Sequence, residues 1–320
     1  PDLPICDAHH HLWDHPGHRY LREEFRADAA KHRIETTVFV ECGAGLRDAG
    51  DPALRPVGET EFVEHLASGR PDGEDDEPRI AAGLVGHADL LLGAEVGRVL
   101  DAHLAASPDR FRGIRHSAAW HPSDRIRASH SNPPPQMLLD PVFRLGFAEL
   151  APRGLSFDAW RFHAQLDELA DLAHAFPDTV IVLDHVGGPL GIGPYEGRRA
   201  EVFDSWAAGI AALAACENVV VKLGGLAMPI CGFGWHERPA PPSSTELADT
   251  LRPWILHVID SFGPGRCMFE SNFPVDKASC SYTVLWNAFK RLTLGFRDGD
   301  RSALFRDNAL RIYRLEHSGA

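Results

Sequence analysis

Eight short apolar runs recur along the chain, at residues 5–11, 36–43, 80–87, 111–118, 155–162, 179–186, 219–224 and 267–273. Most are unbroken rather than alternating, the pattern of strands covered on both faces. Between them, apolar residues return at three- and four-residue steps. Phe203, Trp206, Ile210 and Leu213 form one such stripe. Leu247, Leu251, Trp254, Ile255 and Val258 form another, and Leu166, Leu169 and Leu172 or Ala173 a third within 165–176. These stripes predict amphipathic helices. Strand alternating with helix predicts parallel strands joined by helical crossovers. Eight such units predict an α/β fold, a (β/α)8 TIM barrel spanning residues 1–320 as a single domain. An open doubly wound sheet is the rival, but no Gly-x-Gly-x-x-Gly follows the first strand.

The long loops at 43–58, 120–140 and 226–245 each follow a strand run. Loops after strands belong to the face where barrels build their sites. The acidic segment Asp72-Gly73-Glu74-Asp75-Asp76-Glu77 follows a helix instead, and is expected to be a solvated turn on the opposite face.

Composition narrows the function classes. Lys and Arg number 32 against 45 Asp and Glu, a formal charge of −13. Such a chain repels polyphosphate and anionic lipid, which argues against nucleic-acid and membrane-surface partners. A small-molecule substrate is expected, and a homo-oligomer is compatible with the reading. The six cysteines (Cys6, Cys42, Cys216, Cys231, Cys267 and Cys280) show no CxxC spacing and read as reduced, packed thiols of a cytoplasmic protein. Residues 1–14 lack the pattern of a signal peptide, and the chain begins without Met, so a residue or a short leader is expected to be missing from the numbering.

The chemistry concentrates at strand ends. Asp7-Ala8-His9-His10-His11-Leu12-Trp13-Asp14 closes the first run. Side chains alternate along a strand, so His9 and His11 should point one way and His10 another. Two imidazoles so placed can hold one ion or one polar substrate; the plainer reading is a pair of surface histidines. Leu183-Asp184-His185-Val186-Gly187-Gly188-Pro189 ends the sixth run, and His185 should point across the mouth toward the first. Lys222 lies inside the seventh run, where a buried ammonium needs a partner or a task. The eighth closes with Glu270-Ser271-Asn272-Phe273-Pro274-Val275-Asp276. Here Asn272 should face the mouth, with Asp276 just beyond. Glu41, His87, Arg115, His116 and Asp158 are further polar strand-end residues. Trp235 and His236 lie in the long seventh loop, which suits a lid or a packed Ω-loop.

Taken together, the Asp-x-His-x-His-Leu-Trp-Asp opening, the Leu-Asp-His-x-Gly-Gly-Pro run and the Ser-Asn-Phe-Pro-Val-Asp close resemble the amidohydrolase-2 branch of the amidohydrolase superfamily. Within it, the nearest likeness is to the sugar-lactone and 2-pyrone-4,6-dicarboxylate lactonases. The resemblance implies a (β/α)8 barrel that hydrolyses a lactone or related ester. It carries His9, His11 and His185 over as the histidine cluster, which some members use to hold one zinc ion and others use without metal. One departure stands out. The related lactonases carry Asp where this chain has Asn272, and an amide is no general base and a poor zinc ligand. Asp276, Glu41 or the histidines are the substitutes, with Asn272 left to bond the substrate. Without that Asp, metal binding is expected to be weak or absent.

The expected function is hydrolysis of a small, carboxylated lactone or ester, with the histidines or their zinc polarising the carbonyl. Arg115 and Lys222 would anchor the substrate carboxylate, and Glu41, His87, His116, Trp235 and His236 would line the pocket. The alternatives are a metal-dependent decarboxylase using the same histidines and a catalytically silent barrel that binds a ligand.

Overall fold

The computed structural model describes residues 3–68, 77–127 and 129–315. Asp72 to Asp76 of the acidic run lie outside the described residues. Eight parallel strands form one sheet: β1 (Ile5–His10), β2 (Ile34–Val40), β3 (Arg79–Gly86), β4 (Phe111–Ile114), β5 (Ser156–Ala159), β6 (Ile181–Leu183), β7 (Val219–Leu223) and β8 (Cys267–Phe269). Their spatial order is their order in the chain, so each crossover joins neighbours. The sheet curls until its edges meet. Across the β1–β8 seam, Asn272 N donates to His9 O at 2.9 Å and His11 N to Phe273 O at 2.8 Å. The Asp7 carboxylate strengthens the seam by accepting from Ser271 N at 2.8 Å and Tyr282 Oη at 2.9 Å. This is the (β/α)8 barrel that the strand–helix alternation predicts.

The helices that follow the eight strands are α1 (Arg22–Ala29), α2 (Val57–Ser68), α3 (Gly97–Ala106), α4 (Pro141–Phe147), α5 (Leu166–Ala175), α6 (Arg199–Ala214), α7 (Ser244–Phe262) and α8 (Tyr282–Leu292), and two short helices, Asp298–Ser302 and Asn308–Ile312, come after them. The stripes read from the sequence are the buried ones. In α6 they are Trp206, Ile210 and Leu213, joined by Val202 while Phe203 lies half-buried, and in α7 all five expected residues are buried. The starts of α4, α7 and α8 are capped by Asp140, Ser243 and Ser281, whose side-chain oxygens accept N–H groups of the first turn.

Inside the barrel, Cys6, Ala8, Val38, Val40, Val85, Val182, Val220 and Met268 pack into one apolar cluster. Ala309, Ile312, Tyr313 and Leu315, near the chain's end, join it. Two residues beyond Val182, Val220 and Met268 come Asp184, Lys222 and Glu270. The strand period therefore stacks a charged layer on the apolar one. All six cysteines are free, five buried and Cys42 half-buried. No described helix is long and apolar enough to cross a membrane.

Candidate active site

The first strand delivers its histidines through an irregularity. The β1–β2 pairing slips between Asp7 and His10, and a slip of this kind re-aims side chains. His9 and His11 meet with their Nε2 atoms 3.3 Å apart, while His10 turns away to Thr37 Oγ1 at 2.8 Å. His185 arrives from β6 through a contorted backbone. His185, Val186, Gly187 and Gly188 all have positive φ, from 48° to 76°. For His and above all for β-branched Val this region is strained. It breaks the alternation that would send Asp184 and His185 to opposite faces. Gly225 makes room: a Cβ there would lie 2.4 Å from the His185 Cβ. The His9 and His185 rings then stand 4.6 Å apart, centre to centre.

Hydrogen bonds fix two of the three tautomers. His11 Nδ1 lies 2.7 Å from the Val40 carbonyl, which only accepts, so Nδ1 carries the proton and Nε2 a lone pair. His185 Nδ1 lies 2.7 Å from Glu270 Oε1, so its Nε2 is likewise free. His9 Nδ1 faces Lys222 Nζ at 3.2 Å and Glu270 Oε2 at 3.0 Å. That carboxylate oxygen lies close but off the hydrogen-bond line, and stays unsatisfied among the described residues. With its Nδ1 proton turned to Glu270, His9 would set an Nε2 lone pair against that of His11. Burial, then Lys222, holds His9 below its ordinary pKa; burial, then His9 and Arg115, holds His11 well below.

Around the histidines sit four buried carboxylates, Glu41, Asp158, Asp184 and Glu270, and two buried cations, Arg115 and Lys222. Arg115 Nε donates to Glu41 Oε1 at 2.7 Å, and its Nη1 lies 3.4 Å from both Asp184 Oδ2 and His9 Nε2. Lys222 Nζ donates to Asp158 Oδ2 at 2.5 Å and lies 3.1 Å from Asp184 Oδ1. Burial acts to raise the Glu270 carboxyl, but His185 and His9 outweigh it and hold the group at about 2. Asp184 is held well below the usual range, burial being overcome chiefly by Lys222. Asp276 behaves oppositely, with burial pushing it up to about 7. Asn272 Nδ2 donates to Asp276 Oδ1 at 2.8 Å, and Ala227 N to Oδ2 at 3.2 Å.

His9, Asp184 and His185 each offer a ligand atom within 4.8 Å of the others. Asp184 Oδ1 is buried without an aligned donor among the described residues. Two imidazoles, an unsatisfied carboxylate oxygen and excess negative charge fit one divalent cation such as zinc. Sequence reasoning counted the eighth-strand carboxylate as lost at Asn272. The structure corrects this, because Glu270 brings a carboxylate to the histidines from two residues earlier. Weak metal binding therefore does not follow from Asn272.

The structure brings His9, His11, His185, Glu41, Arg115 and Lys222 together and sets Asn272 on Asp276. Lys222 is not the substrate anchor expected: it is fully buried and already paired with Asp158 and Asp184. Arg115 is likewise tied to Glu41. His87 lines a cleft of about 270 Å³ with Glu41, Glu59 and His130. His116 does not reach the histidines; its Nδ1 accepts Leu90 N, and its ring lies 5.9 Å from that of Phe143 on α4. Trp235 is packed in the main core, stacked on Phe233, and His236 lies outside the centre beside Glu237. The seventh loop is thus packed there rather than poised as a lid. Asp184 and Glu270 were quoted within motifs but missed as site residues. Their signal was a charged side chain inside an apolar run, the same signal that marked Lys222. Trp160, 4.8 Å from the His185 ring, was missed as well.

The chain is similar to several known proteins. The uncharacterised protein y4mH of Sinorhizobium fredii is 34% identical, covering 98% of this chain and 99% of its own. The L-fucono-1,5-lactonase of Burkholderia multivorans is 27% identical over 97% of this chain and 95% of its own. Among solved structures, a Burkholderia multivorans amidohydrolase with bound zinc superposes with a TM-score of 0.73 at 24% identity, covering 98% and 99% of the two chains, and that likeness shows the fold. The amidohydrolase family profile matches residues 6–315, and the chain belongs to that family.

Proposed function

We propose that this protein hydrolyses a small, uncharged, hydroxylated lactone or related ester. The observation that carries the reading is the convergence of three buried histidines with Asp184, Glu270 and Arg115 at the strand ends. The family and the lactonase relative at 27% identity support it. The charge pattern favours an uncharged substrate over the carboxylated one expected from sequence. Both cations of the centre are already paired, so a substrate carboxylate would enter among like charges.

In this reading, His9, Asp184 and His185 would hold a zinc ion, which when bound would supply Lewis-acid polarisation of the carbonyl and lower the pKa of water. Glu270 orients His185 through its Nδ1 proton and sets the field on His9. His11, its Nε2 lone pair fixed by Val40, accepts a hydrogen bond from the attacking water. Asp276, held by Asn272 and raised to about 7, takes the proton from that water. The carbonyl carbon gains the water oxygen, the ring C–O bond breaks, and the departing alkoxide takes the proton to give a hydroxy acid.

The test is a substrate panel run with zinc: hydroxylated sugar lactones, a dicarboxylated lactone and carboxylated phenols. Acid release should be fastest with the uncharged hydroxylated lactones. Carbon dioxide release from the phenols without lactone turnover would establish the decarboxylase instead. Binding without turnover across the panel would establish a silent barrel.

A further inference from the structure

We propose that the Lys222 ammonium is a built-in second cation, which limits the histidine centre to a single divalent ion. The inference rests on the reading that this centre takes a metal. Lys222 lies in β7 with no exposed surface. Its Nζ donates to Asp158 Oδ2 at 2.5 Å, lies 3.1 Å from Asp184 Oδ1 and faces His9 Nδ1 at 3.2 Å. Two carboxylates and an imidazole grouped on one point are the residue types that a zinc ion takes. Here that point is filled by a side chain. Asp158 is fixed in turn by Tyr313, whose hydroxyl donates to the same Oδ2 at 2.8 Å.

Two of the three groups on Lys222, His9 and Asp184, also belong to the trio that fits a metal. The ammonium and the ion would therefore lie against the same two residues. Charge balance gives the same answer. Glu41, Asp158, Asp184 and Glu270 outnumber Arg115 and Lys222 by two, and Asp276 adds a fifth carboxylate when ionised. One divalent ion offsets the excess of the four. A second would need the place and the charge that Lys222 already supplies.

The test counts zinc rather than turnover, so it is read independently of lactonase activity. Metal-free protein is dialysed against zinc chloride, and bound zinc is measured by elemental analysis. Wild type and Lys222→Arg should saturate at one equivalent. Lys222→Ala, shown folded by circular dichroism, should take a second. Wild type binding none or two would overturn the proposal, as would folded Lys222→Ala stopping at one. If the Ala variant does not fold, the wild-type and Lys222→Arg counts decide, and two equivalents in either overturns it. A protein that binds one zinc and hydrolyses no lactone would sink the proposed function while leaving this inference standing.

Discussion

The helical shell and the charged centre of this barrel are built by opposite rules. In the shell, the starts of α4, α7 and α8 carry side-chain caps, and apolar stripes meet the strands. In the centre, Val186 sits at φ 48°, carboxylate oxygens of Asp184 and Glu270 lack aligned donors among the described residues, and buried carboxylates outnumber Arg115 and Lys222. The difference locates stability in the shell and reactivity in the centre, because strain and unmatched charge persist only where surrounding packing enforces them. Among the contacts that join the two regions, Trp206 of α6 donates its indole N–H to the Val186 carbonyl at 2.7 Å.

Substitutions that separate the two regions test this contrast, and the largest effect belongs to the centre. His185→Ala should lower kcat/KM by about 100- to 10,000-fold, with a melting temperature close to wild type. A large loss of stability with turnover retained would reverse the assignment. In the shell, Trp206→Ala removes a fully buried side chain and should cost about 3–5 kcal/mol in urea unfolding. It should also reduce turnover, since the Val186 carbonyl loses its donor. A pH profile comes next. The base role proposed for Asp276 requires its ionised form, and burial pushes its carboxyl up to about 7. kcat/KM should therefore rise with pH through that value, falling about tenfold per unit below it. A profile flat from pH 5 to 8 would remove Asp276 from the base role. Smallest is Ser243→Ala at the start of α7, which should cost about 1 kcal/mol of stability and leave kcat/KM unchanged.

The same contrast explains what could be read from the chain. The strand runs were legible because strands buried on both faces write unbroken apolar segments. Their ends were not. The run at 179–186 pairs only over Ile181–Leu183, because the backbone turns left-handed at His185. His9 and His11 were legible from simple alternation. Asp184 was not, since alternation places it opposite His185 and only the strained turn brings both to one side. Glu270 was overlooked because motif comparison drew attention to Asn272, two residues on, where the related lactonases keep their carboxylate. Lys222 was singled out correctly as a buried charge, but its partners come from β1, β5 and β6, and no local pattern announces contacts across a barrel.

The seam between β1 and β8 carries a consequence for motion. Among the described residues it is the one junction of the barrel spanned by an isolated bridge, His10 to Phe273, rather than a ladder of paired residues. A sheet breathes most easily where it is least laced, and the amides of His11 and Asn272 sit on that line. The flanking strands also supply His9 on one side and Glu270 and Asp276 on the other. Whatever occupies the mouth thus bridges the two lips of the opening. Occupancy should clasp the barrel shut and slow deuterium uptake at those two amides more than at those of β3 or β4, so the ligand closes the fold at the place where the chain left it loosest.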